Sequence, residues 1–470
     1  MSASPPKTSE RGESHPARLA ALEALARVAR GDGFTKQALD EVATQRALRP
    51  EDRGLASELC YGVLRWRARL DYALAARIHR GLASVHPEVL DVLRLGAYQL
   101  LFSRVPAHAA VDESVRLARA HTHAGESGAR FVNAILRGVS RDGEPPPPDA
   151  STDPLGHLAV KWSFPEWMVA RVVEAVGEDQ APALLEALDT QAPTHVRARI
   201  GRTTREALID ALAREGVSAA PTPNAPYGLT VEALRDVAAS PAFKAGLYTV
   251  QDEASQLVAC LCEPAEDARI LDLCAAPGGK ATALAEAAPR GHIDAVDRSP
   301  RKVAQVRAGA VRLGLSHVHT RAGDGAAALA FSEHGAYDLV LVDAPCTGLG
   351  VLRRHPEAKW RVTEDDVSRL AAQQARLLAN AARYVSLGGV RPEGVRPGGV
   401  LVYSVCTFTR EETTEITRGF LAAAPGFTLE PPTDASLRAL APDGELRLFP
   451  HTHGTDAFYA ARFRRGAAHE

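Results

Sequence analysis

From residue 17 to residue 140, apolar positions recur at three- and four-residue spacings almost without interruption. The stretch ARLAALEALARVAR places Leu19, Leu22, Leu25, Ala26 and Val28 on this rhythm, and PEVLDVLRLGAYQLLF does the same with Val89, Leu93, Leu100 and Leu101. Such spacing predicts amphipathic helices, and so an all-α domain over 16–140. SRDGEPPPPDASTDP then joins a proline run to small polar residues, which predicts an extended linker over 141–154. Between 155 and 245, helical stretches (PEWMVARVVEAVG, TREALIDALAREG) mix with the strand-like THVRARI, a small α+β region. From 246 to 470 the rhythm changes again. Short β-runs (RILDLCA, HIDAVD, HVHTRAGD, YDLVLVDAP, GGVLVYSVC) alternate with amphipathic helices, which implies crossover units and a parallel sheet.

The first fifteen residues are polar and rich in Pro and Ser, which predicts a disordered tail in a cytoplasmic protein, because they hold no apolar core for a secretory signal. Hydrophobic residues make up 46% of the 470 and charged residues 24%, and no apolar run approaches a membrane span. Six cysteines at 60, 260, 262, 274, 346 and 406 are too scattered for a disulfide framework. Cys260 and Cys262 lack the spacing of a zinc-ligand pair, and no metal site is expected. With a net charge of −2, any nucleic-acid partner must be held by a local basic patch.

RILDLCAAPGGKAT, 269–282, runs from a strand through a glycine turn into a helix beginning near Lys280. Gly278 and Gly279 let a ligand approach the backbone closely, yet neither the dinucleotide nor the phosphate-loop spacing is present. Each following strand ends in an acid: Asp297, Asp324 and Asp343. One carboxylate can take the ribose hydroxyls and another the adenine amino group, so the set fits S-adenosylmethionine. Singly, each acid has a plainer explanation as a helix cap, above all Asp297 before Ser-Pro.

Cys346 in VDAPCTG and Cys406 in VYSVCTFT also follow apolar strands. Two thiols facing one cofactor pocket suggest methylation of a pyrimidine at C5, a carbon too weakly nucleophilic until a thiolate adds at C6. A carboxylate such as Asp343 can then stabilise charge on the ring, and a base must remove the C5 proton. Either cysteine could be the nucleophile on this reasoning. Downstream, GVLRRHPEAKWR offers Arg353, Arg354, His355 and Lys359 for phosphate and Trp360 for stacking, a candidate RNA-binding loop.

With LDLCAAPGGKAT, AVDRSPRKV, AGDG, LVDAPCTGLGVLRRHPEAKW, LVYSVCTFTREE and LRLFPHTHGTDAFYAARFRR in this order, the chain closely resembles the RsmB (Fmu/Sun) family of ribosomal RNA cytosine-5 methyltransferases. LASELCYGVLRWRARLDYAL, LGAYQLLFSRVPAHAAVDESV and FVNAILRGV resemble that family's NusB-like RNA-binding domain. The resemblance implies a multidomain protein: a NusB-like all-α domain, a small α+β middle region and an α/β Rossmann-like class I methyltransferase domain. It implies Cys406 as nucleophile, Cys346 assisting release, and cofactor contacts from Cys274, Ala275, Ala276, Pro277, Gly278, Gly279, Lys280, Asp297, Asp324 and Asp343. It further implies small-subunit ribosomal RNA as partner, with no membrane and no obligate protein partner.

A tRNA cytosine-5 methyltransferase and a catalytically silent RNA-binding assembly factor are the competing readings, and the presence of both cysteines and all three aspartates argues against the second. Two departures stand out: SVCT where the family more often has STCS, and the near-repeat LGGVRPEGVRPGGV at 387–400, expected to lengthen a surface loop and able to alter substrate access.

Overall fold

The computed structural model describes residues 15–466 apart from 32, 235, 392 and 393, so the expected tail lies outside the described residues save for its last. The chain divides into two compact units, Met1–Asp189 with Arg354–Val362, and Thr190–Arg353 with Thr363–Glu470.

The first unit is helical. Four of its helices, Pro16–Arg30, Pro50–Ala75, Pro87–Phe102 and Pro154–Trp162, open on a proline, where the missing N–H costs nothing and φ is already helical. Their apolar faces close a core around Leu59, Leu70, Leu74 and Leu93. The proline segment is not a free spacer: Glu144 pairs with Arg69, and the Tyr72 hydroxyl donates to Pro146 O at 3.0 Å. Helices Glu166–Val176 and Ala181–Asp189 also belong to this unit.

The segment 354–362 completes the same core. Lys359 is 1% exposed; its ammonium pairs with Asp189, donates to Ser163 O at 3.1 Å and Arg65 O at 3.2 Å, and stands 3.7 Å from the Phe164 ring centre. Trp360 Nε1 donates to Leu64 O at 2.6 Å. Burial pushes Lys359 down and the Asp189 carboxyl up to about 6, the Lys359 charge offsetting only part of the latter. Removing one member of a buried pair leaves the other uncompensated. Lys359→Ala is therefore expected to cost about 3–5 kcal/mol of stability, read by urea unfolding; a loss below about 1 kcal/mol would show that Asp189 readily takes up a proton instead.

In the second unit, β1 (Thr194–Ala198), β2 (Ser218–Pro221), β3 (Gly228–Glu232) and β4 (Tyr248–Val250) form an antiparallel sheet in the order β2-β3-β1-β4. Beyond it come β5 (Arg269–Asp272), β6 (His292–Asp297), β7 (Val318–Ala322), β8 (Leu339–Asp343), the short pair β9 (Gly389–Arg391) and β10 (Gly394–Arg396), then β11 (Val400–Val405), β12 (Phe427–Leu429), β13 (Glu445–Leu448) and β14 (Phe458–Arg465). The large sheet runs β12-β14-β11-β8-β5-β6-β7, with β13 also on β14. Strands β11, β8, β5, β6 and β7 are mutually parallel, and β14 is antiparallel to β11. After β7 the chain returns to the other side of β5, so the order reverses between β5 and β8. A crevice opens outside the strand ends at such a switch point.

The near-repeat at 387–400 pairs with itself: Gly389 faces Arg396, and Arg391 faces Gly394, with 392 and 393 outside the described residues. Gly399 N donates to Ser386 O at 2.8 Å, closing the base of the hairpin where β11 begins. Cys406 follows the other end of that strand, about 20 Å away at roughly 3.3 Å per residue. The near-repeat therefore lies at the end of β11 opposite the cysteine.

Candidate active site

Register brings the two cysteines together. In the parallel β8–β11 pair, Asp343 lies beside Ser404. The chain leaves β8 through Ala344-Pro345-Cys346 and leaves β11 through Val405-Cys406, and the two Sγ atoms stand 3.4 Å apart. Pro345 falls just past the ladder, where its lost donor matters least. The Cys346 thiol is pushed well up, first by its hydrogen bond to Cys406, then by burial and by the charges of Cys406 and Glu412.

Asp343 is held from both sides. Lys280 donates to its Oδ2 at 2.7 Å and the Ser404 hydroxyl to its Oδ1 at 2.8 Å. Burial works against the Lys280 charge, but Asp343, aided by Cys406 and Asp272, raises the ammonium above its ordinary value. The lysine thus remains a cation beside the thiol pair.

The loop carrying Cys274 to Gly279 crosses the end of β5. Gly278 has φ 109°, and a Cβ there would lie 3.1 Å from the Val306 Cα, so only glycine fits between loop and neighbouring helix. Burial, then the charges of Asp272, Asp343, Asp297 and Asp324, push the Cys274 thiol well up. Asp297 accepts from Ser299 N at 2.9 Å, but the helix cap is Ser299 itself, whose hydroxyl accepts from Lys302 N. Asp324 is exposed, in the loop after β7.

Asp272 is fully buried, and apart from the Cys274 backbone no hydrogen-bonding group meets its oxygens. Burial and the Asp343 charge push its carboxyl up to about 7, Lys280 and the Cys274 backbone offsetting only part of the rise. The folded protein therefore keeps this proton while the unfolded chain loses it near pH 4. Stability from this group is complete below about pH 4 and is lost as the pH climbs through 7. Asp272→Asn is expected to gain on the wild type by about 4 kcal/mol in cofactor-free unfolding between pH 4 and pH 8; a pH-independent difference would show that the carboxyl ionises freely.

The loop expected to meet RNA is corrected by the structure. Arg353 is 6% exposed and donates to Asp456 at 3.0 Å, and Lys359 is buried in the helical core, so neither can reach out to phosphate; Trp360 is half-buried, packed on that core with its indole N–H given to Leu64 O. Their charges and ring serve burial instead. Arg354 and His355 are half-exposed, the His355 ring lying 5.0 Å from that of Phe34.

Glu412 escaped the sequence reading, as did Asp272, Ser404 and Gln374. Glu412 is fully buried beneath the cysteines, and Gln374 donates both to it and to Pro345 O. The one available signal was an acid pair, Glu411-Glu412, five and six residues after a candidate nucleophile.

Residues 259–464 match the family model described as 16S rRNA methyltransferase RsmB/F, 15–141 match the NusB family, and 164–238 match the ferredoxin-like domain of RsmF/B-like methyltransferases. A Bacillus subtilis protein described as "Probable ribosomal RNA small subunit methyltransferase B" is 34% identical over 95% of this chain and 98% of its own. The chain belongs to the RsmB family. Ribosomal RNA small subunit methyltransferase B of Pseudomonas putida is 33% identical over 96% of this chain and 99% of its own. Among solved structures, that of PH0851 shares the fold at a TM-score of 0.78 and 24% identity, covering 96% of this chain and 99% of that one. NSun6 from Pyrococcus horikoshii, solved with SFG, shares it at 0.54 and 22%, covering 64% and 98%. This RsmB-family chain thus carries a NusB-like helical domain, a ferredoxin-like middle domain and a methyltransferase domain, and among its described residues no helix is long and apolar enough to cross a membrane.

Proposed function

We propose that the protein methylates C5 of a cytosine in small-subunit ribosomal RNA, with S-adenosylmethionine as donor and Cys406 as covalent nucleophile. The observation that carries the reading is the pair of thiols 3.4 Å apart at the end of β8 and β11, beside the reversal point of the sheet. Relatives named as small-subunit ribosomal RNA methyltransferases supply the substrate class.

The residues present suit the cofactor. The Gly278 turn, and Asp297, Asp324 and Asp343 around Cys274, offer acceptors and close backbone approach on one edge, with Ala275, Ala276, Pro277, Gly279 and Lys280 in the same loop and helix start. Bound there, S-adenosylmethionine supplies an electrophilic methyl group.

The chain's own part is to make C5 able to accept it. The Cys406 thiolate adds to C6, forming a C–S bond and placing an electron pair at C5. Lys280 and the Asp343 carboxyl it holds sit where charge builds on the ring. After methylation the C5 proton must leave so that the C–S bond can break and the thiolate depart. Cys346 is the nearest group for that step: adduct formation ends its hydrogen bond to Cys406, the main influence holding its proton, so the thiol passes that proton to solvent and the resulting thiolate takes the C5 proton as the C–S bond breaks. Arg354 and His355 remain candidates for phosphate contact.

Incubation with unmodified small-subunit ribosomal RNA and methyl-labelled S-adenosylmethionine, followed by digestion to nucleosides, is expected to yield labelled 5-methylcytidine. Label appearing only with tRNA would change the substrate class. No label in either, with cofactor binding intact, would favour an assembly role.

A further inference from the structure

We infer that Glu412 is a positioning residue, whose single carboxylate grips the residue following each cysteine and so sets the spacing and the distinct roles of Cys346 and Cys406. The inference rests on the two-cysteine mechanism proposed above.

Thr347 follows Cys346, and Thr407 follows Cys406. Both donate to Glu412. Its Oε1 accepts from Thr347 N at 2.9 Å and from Gln374 Nε2 at 3.0 Å. Its Oε2 accepts from the hydroxyls of Thr347 at 2.5 Å, Thr409 at 2.9 Å and Thr407 at 3.3 Å. The Thr347 and Thr407 hydroxyls also meet each other at 2.9 Å. Gln374 adds a second tie by donating to Pro345 O, and Tyr403 in β11 donates to Gln374 Oε1 at 3.0 Å and to Glu412 O.

A carboxylate is the group suited to this place, because it is acceptor-only and offers about four lone-pair sites on two oxygens to the surrounding N–H and hydroxyl groups. A fully buried acid is expensive and is normally paired with a cation. Among the described residues no ion pair reaches Glu412, whose whole hydrogen-bonding capacity goes to the two cysteine loops and the helix carrying Gln374. Its placement is also electrically lopsided. Glu412 bears on Cys346 and helps to hold that proton, whereas the Lys280 ammonium is influenced by Cys406. The Glu412 charge thus favours Cys346 as the thiol held for release, while its ties to Thr347 and Thr407 fix the two loops against each other.

The mechanism depends on sub-ångström placement of two sulfurs around one ring, and a displacement of about 1 Å can cost 10²-fold in rate. Glu412→Gln retains the shape and one carbonyl acceptor for the two N–H donors, while the hydroxyls can turn to accept from the new amide. It removes the charge and loosens the grip without emptying the site. Thr347→Val, a milder change, removes one hydroxyl tie and leaves the carboxylate.

The experiment compares wild type, Glu412→Gln and Thr347→Val as full chains, measuring kcat, KM for RNA, cofactor affinity and melting temperature. It also maps by mass spectrometry which cysteine is bound to an RNA carrying 5-fluorocytosine, whose C5 cannot lose a proton and so keeps the adduct. Glu412→Gln is expected to lower kcat at least tenfold at unchanged cofactor affinity and RNA KM, and to spread the adduct from Cys406 onto Cys346; Thr347→Val should lower kcat severalfold in the same way. Wild-type kcat with the adduct confined to Cys406 in both variants would overturn the assignment, as would losses that merely follow the unfolded fraction. Should wild type itself form no adduct, the two-cysteine mechanism fails first and the role of Glu412 fails with it.

Discussion

Cys406→Ala is expected to abolish methyl transfer, lowering kcat by on the order of 10³-fold or more, while cofactor affinity stays within about twofold of wild type. The reason is chemical rather than structural. Without a thiolate at C6 there is no electron pair at C5 to receive the methyl group, and no neighbouring group can substitute: Asp343 is engaged by Lys280 and Ser404, and burial and the Glu412 charge still act to hold the Cys346 proton after its bond to Cys406 is lost. The loop and acids assigned to the cofactor lie on β5, β6, β7 and β8, and the substitution leaves them untouched. The half-buried Cys406 side chain loses a single sulfur, so the fold should survive. Transfer assays paired with equilibrium cofactor binding check the prediction. Turnover near wild type would remove Cys406 from the nucleophile role.

Cys346→Ala is expected to fail at the opposite end of the cycle. Attack by Cys406 and methyl transfer should proceed, but loss of the C5 proton should slow by about 10²- to 10⁴-fold, the usual contribution of a positioned acid or base. A protein–RNA species resistant to denaturant should then accumulate, visible as a shifted band that digestion reduces to a single Cys406 peptide bearing a nucleotide. The 3.4 Å between the sulfurs puts Cys346 close to whatever Cys406 holds, which is why the two variants should give different products rather than a shared loss of activity. If the trapped species requires Cys346 and forms without Cys406, the two roles must be exchanged.

Much of the site was legible along the chain because strand ends announce themselves. An apolar run that stops in Asp-Ala-Pro-Cys or Ser-Val-Cys-Thr can only be leaving a sheet, and a Gly-Gly turn between strand and helix marks the place where a ligand can approach the backbone. The basic stretch 353–361 misled for an equally physical reason. Arg, Lys and Trp are the residues of RNA-binding loops, but they also form buried ion pairs and snug core contacts, and no local pattern separates Lys359 facing phosphate from Lys359 facing Asp189, 170 residues away. The near-repeat at 387–400 was read as a longer loop. Its self-pairing and its position at the far end of β11 come from strand direction, which its own sequence does not carry.

By itself, then, the sequence determined the succession of helical, mixed and α/β regions, the glycine turn, the three strand-terminal acids and the candidacy of two cysteines, because periodicity and turn chemistry are local properties. Only the tertiary structure decided which of these groups meet. The β8–β11 register placed Cys346 against Cys406, burial left the Asp272 carboxyl with no partner but the Cys274 backbone, and packing gathered five donors around Glu412. Hydrogen bonds and charge pairs between residues dozens of positions apart depend on how strands align, and that alignment is settled by the whole core rather than by any stretch within it.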